Sequence, residues 1–127
     1  MILDASAILA AIFAEPGHAV VADAFGVGAI ACSVNLAEVA TKMIREGYSP
    51  ERAEAILMEL PIAIHDADLA LALQAARLYP NTRSHGLSLG DRLCLALALR
   101  EHRQVLTADR AWSEPGKRIG VDVRLIR

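Results

Sequence analysis

Four carboxylates of this chain occupy positions where they could carry out chemistry. Asp4 follows the apolar run MIL and Asp109 closely follows QVLT, so each lies just beyond a predicted strand. Because sites in parallel sheets lie beyond the carboxyl ends of the strands, these two side chains should emerge at the same end. Glu38 in NLAEV and Asp91 in SLGDRLCLALA lie on predicted helices. If all four converge, they offer an all-oxygen ligand set that suits Mg²⁺ or Mn²⁺.

The two acids that follow strands also have a structural interpretation as caps. Asp4 can cap the helix that comes after it, although Ser6 competes for that role, and Asp109 can cap a turn through RAWSE. For Asp4 the capping and functional interpretations are about equally strong.

The two helical acids have structural interpretations as well. If Ser88 caps its helix, Asp91 is the third helical residue, where the helix dipole favours an acid by about 0.3–1 kcal/mol. Glu38 can pair with Lys42 one turn later, which stabilises an exposed helix by about 0.2–0.5 kcal/mol. For Glu38 taken alone, this salt bridge is the better interpretation.

Short strands that alternate with helices are predicted to position these residues. The runs MIL, GAIAC, IAI and QVLT lack polar alternation, which is typical of parallel strands buried on both faces, whereas VDVRL alternates and suits an edge strand. The predicted helix starts are the apolar run from Ala7 to Ala14, and caps at Ser33, Ser49 before Pro50, Asp66 and Ser88. The last helix is apolar nearly all round from Leu93 to Leu99 and should be buried. This alternation predicts a three-layer α/β fold with a parallel sheet.

Length and composition indicate one globular domain over residues 1–127. Hydrophobic residues make up 54% of the 127 positions, which excludes a disordered chain, and aromatic residues only 4%, so Ala, Leu, Ile and Val must build the core. The run ASAILAAIFA is too short to span a bilayer and lacks the basic flank of a signal peptide. We therefore expect a cytoplasmic protein without a membrane segment, in which Cys32 and Cys94 are reduced core thiols.

The distribution of charge is more informative than the net charge of −2. Residues 1–63 carry three basic and eight acidic side chains, hence −5, and residues 64–127 carry ten and seven, hence +3. This division permits an acidic metal site with a basic rim, although scatter over a solvated surface explains it as simply.

Several other functional motifs are excluded. GVGAIA has the spacing of a dinucleotide loop at Gly26 and Gly28 but precedes a strand instead of following one, and the chain has no phosphate-binding Gly-Lys-Ser/Thr loop. The four histidines lack zinc-ligand spacing, and Ser6 has no evident histidine partner for a hydrolase triad.

Taken together, the segments that carry the four acids resemble the PIN-domain ribonucleases, and most closely the VapC-type toxins of toxin–antitoxin pairs. The matching segments are LDASAILA, NLAEV, LSLGDRLCLALA and VLTADRAW, and GVDVRLIR resembles the usual final strand. They occur in the family's order and cover essentially the whole chain. The resemblance implies a PIN-like fold in which helices flank a central, mainly parallel sheet.

The resemblance also implies an activity and a set of site residues. It implies a Mg²⁺- or Mn²⁺-dependent endoribonuclease that cuts single-stranded or loop RNA to leave a 5′-phosphate, forms a homodimer, and is held inactive by an antitoxin protein. The implied catalytic and metal-binding residues are Asp4, Glu38, Asp91 and Asp109, with Ser6, Thr107 and Asn35 as polar supports.

A metal ion would explain why such acids are tolerated together. Two carboxylates 4 Å apart repel by roughly 1 kcal/mol in water and about 4 kcal/mol at an effective dielectric of 20. Several such pairs would strain a domain whose whole stability is about 5–15 kcal/mol. An acidic site also repels RNA, so cations elsewhere must hold the backbone. The candidates are Lys42, Arg83, Arg92 and Arg110, of which Arg92 and Arg110 could instead pair with the acids they follow.

Two other functions compete with this hypothesis. A non-catalytic PIN-like module that binds protein would be expected to have lost at least one of the four acids. Phosphotransfer through a nucleophilic Asp4 would usually require a second Asp two residues later, where this chain has Ser6.

Overall fold

The computed structural model describes all residues from 1 to 127, and its core element is a parallel sheet. The strands are β1 (Ile2–Leu3), β2 (Ala29–Cys32), β3 (Ile62–His65), β4 (Val105–Thr107) and β5 (Val123–Leu125). Their order across the sheet is β3-β2-β1-β4-β5, and every neighbouring pair is parallel. The predicted three-layer α/β fold with a parallel sheet is therefore confirmed.

Eight α-helices flank the sheet. They are α1 (Ala5–Ile12), α2 (His18–Val27), α3 (Ser33–Arg45), α4 (Pro50–Glu59), α5 (Leu69–Arg77), α6 (Tyr79–Thr82), α7 (Leu89–Glu101) and α8 (Ser113–Ile119). Short 3-10 segments span Arg83–His85 and Arg110–Trp112. None of the helices has the length and apolarity needed to cross a lipid bilayer.

The sheet separates two hydrophobic cores. On one face, thirteen buried residues pack together, among them Leu3, Ile8 and Met43; all come from the strands and α1 to α4 except Ile126, which follows β5. On the other face, sixteen buried residues form the second core, to which α7 contributes six consecutive side chains from Leu93 to Ala98. The prediction that this apolar helix is buried is thus confirmed, and its burial fixes the first turn of α7 at the sheet.

The ends of the elements differ from the sequence predictions at three places. Ser33 is the first residue of α3 and Cys32 the capping residue, without a side-chain cap, so the Ser33 prediction was wrong. Asp68, and not Asp66, caps α5 by accepting from the Leu71 N–H at 2.8 Å. Helix α1 begins at Ala5 instead of Ala7, because the Asp4 side chain caps it.

The sequence prediction is correct for one edge strand of the sheet and wrong for the other. Strand β5 lies at an edge, as its alternating pattern predicted. Strand β3 forms the other edge and is only partly buried, so the prediction that IAI is buried on both faces was wrong. A short apolar run has the same pattern whether it lies at the centre or at the edge of a sheet.

Candidate active site

Asp4 lies at the carboxyl end of the central strand and is held by hydroxyl groups. Its Oδ2 accepts from Ser6 Oγ at 2.5 Å and from Thr107 Oγ1 at 2.9 Å. Because β1 and β4 are neighbours, Thr107 at the end of β4 reaches Asp4 directly. Ser6 Oγ also accepts from the Ala108 N–H at 2.9 Å, so Ser6 ties the two strand ends together. The polar supports predicted at Ser6 and Thr107 therefore contact Asp4.

Burial and hydrogen bonding oppose each other at the Asp4 carboxyl. Asp4 is only 4% exposed, and the loss of hydration raises its pKa even though hydrogen bonds from Ser6 and Thr107 favour the charged form. Asp4 also caps α1 by accepting from the Ser6 N–H at 3.3 Å. The capping interpretation of Asp4 is therefore confirmed, and the cap does not use the whole carboxylate, since Oδ2 takes these hydrogen bonds and Oδ1 accepts none from a side chain.

Glu38 turns toward the protein and does not pair with Lys42. Lys42 instead forms a salt bridge with Glu46 at 2.8 Å, so the predicted Glu38–Lys42 pair was wrong. Glu38 Oε2 accepts from Asn35 Nδ2 at 3.0 Å, and the same Asn35 group donates to the Gly90 carbonyl at 3.1 Å. Asn35 is fully buried and joins α3 to the first turn of α7.

Gly90 is a site residue that sequence reasoning missed. A methyl group at this position would overlap the Glu38 carboxylate, so the absence of a side chain leaves the space in which that carboxylate lies. The signal was present as a glycine inside a predicted helix, which usually has a packing or functional reason.

Asp91 lies in the first turn of α7 and completes a capping box with Ser88. Asp91 Oδ2 accepts from the Ser88 N–H at 2.8 Å, and the Asp91 N–H donates to Ser88 Oγ at 3.2 Å. The predicted Ser88 cap is confirmed. Burial is the main cause that raises the pKa of Asp91 to about 6; the negative charges of Asp4 and Glu38 contribute to this rise, and the hydrogen bonds with Ser88 oppose it.

Three of the four predicted acids thus share one electrostatic environment. Burial is the largest cause that raises the pKa of Glu38, and the charge of Asp4 adds to it. None of the three acids forms a salt bridge. Asp4, which is buried, and Glu38 and Asp91, which are partly buried, therefore form a group of like charges without a compensating cation.

Asp109 is placed differently. It is exposed, and its Oδ1 accepts from the Ala111 N–H at 2.9 Å, so it caps the 3-10 segment as its structural interpretation predicted. Its own N–H donates to Thr107 Oγ1 at 3.0 Å, which keeps its backbone next to the Asp4 network. The end of β4 therefore brings Asp109 to the same end of the sheet without adding its carboxylate to the group.

The donor chemistry fits a hard divalent cation, but the side-chain positions are not those of a closed ligand shell. In this arrangement, no three His, Cys, Asp or Glu side chains come close enough together to hold one ion. The acids are all-oxygen donors, as Mg²⁺ prefers, and the two cysteines nearby are buried free thiols. Asp91 and Asp109 would have to rotate from their capping positions to approach Asp4.

The basic residues predicted to hold RNA also differ in their surroundings. Arg83 and Arg110 are exposed and form no salt bridge, whereas Lys42 is paired with Glu46. Arg92 does not pair with Asp91, because its Nη1 donates to the Ala75 carbonyl at 3.3 Å and its guanidinium lies over the Tyr79 ring.

Comparison with known proteins identifies one family. The family model described as PIN domain matches residues 1–118. The matched range contains all four acids and every contact described above, and it ends before β5. No curated protein sequence is similar enough to the chain to count as a match.

Proposed function

The chain belongs to the PIN-domain family, whose members are generally nucleases, and we propose that it is a Mg²⁺- or Mn²⁺-dependent endoribonuclease. The observation that supports this proposal best is the group formed by Asp4, Glu38 and Asp91. Burial raises the pKa of all three carboxyls, and the charges of neighbouring acids add to the rise at Glu38 and Asp91, so ionisation of these groups destabilises the fold. The helix caps made by Asp4 and Asp91 do not require this burial, whereas such perturbed acids are common at functional sites.

Under this proposal, the chain's own side chains hold the acids in place. Ser6 and Thr107 fix Asp4, Asn35 fixes Glu38, and the capping box fixes the backbone of Asp91. These three acids would hold the cation, and Asp109 would join them by leaving its cap. When bound, a divalent cation lowers the pKa of a water molecule and stabilises charge on a phosphate oxygen. The acids need no histidine base for this chemistry.

The proposal includes the role of a toxin in a toxin–antitoxin pair, with RNA as substrate. The resemblance of LDASAILA, NLAEV, LSLGDRLCLALA and VLTADRAW to VapC-type toxins supports this role. A cognate antitoxin protein and a second copy of the chain are its proposed partners. A groove of about 340 Å³ between α3 and α4, lined by apolar residues that include Leu36, Ile44, Leu57 and Met58, offers one surface for protein binding.

Thermal unfolding of the metal-stripped protein with and without Mg²⁺ or Mn²⁺ tests the site before any RNA is known. A ligand at 100 times its dissociation constant stabilises a protein by roughly 2.7 kcal/mol, which raises the midpoint of a small domain by several degrees. We expect this shift in the wild type and its loss in Asp91→Asn. Cleavage of RNA by the wild type and not by the variant completes the test.

A non-catalytic PIN-like binding module is the second candidate. The observation in its favour is that no three acidic side chains lie close enough to share an ion. An unchanged melting temperature at millimolar metal, together with intact RNA, would favour this module over the nuclease.

A further inference from the structure

The segment of chain that precedes Asp91 carries arginines that have no acidic partner. Residues 69–90 contain Arg77 and Arg83 but not one Asp or Glu. Both arginines are exposed, and neither forms a salt bridge. This acid-free segment leads directly into Asp91 and Arg92 in the first turn of α7. The chain that leads into Asp91 therefore carries positive charge without a neighbouring acid in sequence.

Arg92 is held in a defined position by neutral groups. Its guanidinium carbon lies 5.3 Å from the centre of the Tyr79 ring, and its Nη1 donates to the Ala75 carbonyl at 3.3 Å. Its Nε is buried without a hydrogen-bond partner, and no carboxylate neutralises it. One Nη1 N–H is used on Ala75 and the Nε N–H is buried, so the remaining N–H groups of the two Nη atoms are the donors that Arg92 keeps for an anion.

Tyr79 gives the same segment an exposed aromatic ring. The residue is 52% exposed, although it lies against Arg92 and begins the short helix α6. Aromatic residues are rare in this chain, and Trp112 is fully buried. An exposed ring beside unpaired arginines is the combination that binds single strands, since bases stack on the ring and phosphates contact the cations.

We propose that Tyr79 and Arg92 form a recognition surface for single-stranded RNA, in which a base stacks on Tyr79 and Arg92 contacts the backbone. This inference rests on the proposed function and adds the residues that hold the substrate beside the acids. Stacking accepts any base, so the surface provides affinity and position without selecting a sequence. It also counters the repulsion between the carboxylates and the phosphates of RNA.

A second arginine–tyrosine pair in the chain provides a matched control. Arg52 lies over the Tyr48 ring at 5.9 Å, but this tyrosine also packs against Phe13 and is only partly exposed. The neighbouring stretch is acidic, with Glu46, Glu51, Glu54 and Glu59. Arg52 therefore makes a similar contact with a tyrosine ring, in surroundings that repel a polyanion.

The test measures binding of a short, fluorescently labelled single-stranded RNA of mixed sequence by anisotropy. All variants carry Asp91→Asn, so that cleavage does not interfere with binding. Tyr79→Ala should raise the dissociation constant for RNA about tenfold. Tyr79→Phe, which keeps the ring, should bind RNA with the affinity of the Tyr79 protein. Arg92→Gln should lower the slope of log affinity against log salt by about 0.7, the value for one phosphate contact with a single strand. Arg52→Gln should leave both quantities unchanged.

The outcomes separate this inference from the proposed function. If the Asp91→Asn protein binds RNA and neither Tyr79→Ala nor Arg92→Gln changes the affinity or the salt slope, the recognition surface is wrong and the proposed function stands. If that protein does not bind RNA and the wild type does not cleave it, both are wrong. If Tyr79→Ala leaves RNA affinity unchanged and alters the sedimentation mass, the surface binds protein, which also overturns the inference.

Discussion

The carboxyl of Asp4 shows how one residue serves both fold and site. Its Oδ2 caps α1 and accepts from two hydroxyls, which holds the side chain at the end of β1. These hydrogen bonds favour ionisation, yet burial outweighs them and raises the pKa. A helix cap alone does not require such burial. The position of Asp4 at the end of the central strand is what distinguishes it from an ordinary capping residue.

The stability of the metal-free protein should depend on pH through Asp91. Because its folded pKa is raised from 3.8 to about 6, the folded state holds this proton more tightly than the unfolded state. Ionisation of Asp91 therefore lowers the free energy of unfolding as the pH rises from 3.8 to about 6. Above the folded pKa of about 6 the stabilisation by the bound proton has been lost. After discounting for the exposure of Asp91, we expect an effect on the order of 1–2 kcal/mol.

Urea unfolding of the wild type and of Asp91→Asn, both in the presence of a chelator, measures this effect. Asn keeps an oxygen that accepts from the Ser88 N–H, so the cap is retained and the charge removed. The variant should be more stable than the wild type at pH 7, and the difference should shrink toward pH 4. A variant that is less stable than the wild type at pH 7 would contradict a cluster of repelling acids.

Gly90→Ala should displace the Glu38 carboxylate without weakening the helix. Ala favours a helix over Gly by roughly 0.5–1 kcal/mol, but its methyl group would overlap the carboxylate. We expect a smaller rise in melting temperature on addition of Mg²⁺ or Mn²⁺ and slower RNA cleavage. The matched control is Gly26→Ala in α2, where a methyl group meets nothing within 4 Å. Equal metal responses in the two variants would remove Gly90 from the site.

At the scale of the element, the cap of α7 joins helix stability to the site. Ser88→Ala removes the hydroxyl that accepts from the Asp91 N–H, which should cost about 1 kcal/mol. Because the hydrogen bond from the Asp91 N–H to Ser88 fixes the backbone of Asp91, we also expect weaker stabilisation by divalent cations, measured by thermal unfolding.

Ser49→Ala is the control for this prediction. Ser49 caps α4 in the same way, by accepting from the Arg52 N–H at 3.1 Å, but lies away from the three acids. It should lower stability by a similar amount and leave the metal response unchanged. If Ser88→Ala and Ser49→Ala lose the same fraction of the metal response, the cap does not position Asp91.

At the scale of the whole molecule, the exposed apolar groove between α3 and α4 predicts self-association. Ile44 is 42% and Met58 69% exposed, whereas most large apolar side chains are buried in the two cores. Met58→Lys should leave the fold intact, because substitutions at exposed positions usually change stability by less than about 0.5 kcal/mol. Sedimentation should show a dimer for the wild type and a shift toward monomer for the variant; a monomeric wild type would refute the proposed homodimer.

The sequence alone determined the architecture of this protein. Short apolar runs without alternation predicted parallel strands, and the unbroken apolar stretch from Leu93 to Leu99 predicted a buried helix. These patterns predict correctly because the hydrophobicity of consecutive residues indicates which faces of a helix or strand are buried. The order of the acid-bearing segments likewise indicated the PIN-domain family, whose model matches residues 1–118.

Only the tertiary structure decided how the acids are arranged. Whether Glu38 pairs with Lys42 or turns inward depends on Asn35 and Gly90, and Gly90 lies 52 residues along the chain from Glu38 but contacts it in the fold. Asp109 has the same sequence context as Asp4, yet it is exposed and caps its own turn, because β4 places it beyond the buried end of β1. A local pattern records which residues can ionise, but the distances and burial that set their charge arise only when distant segments pack together.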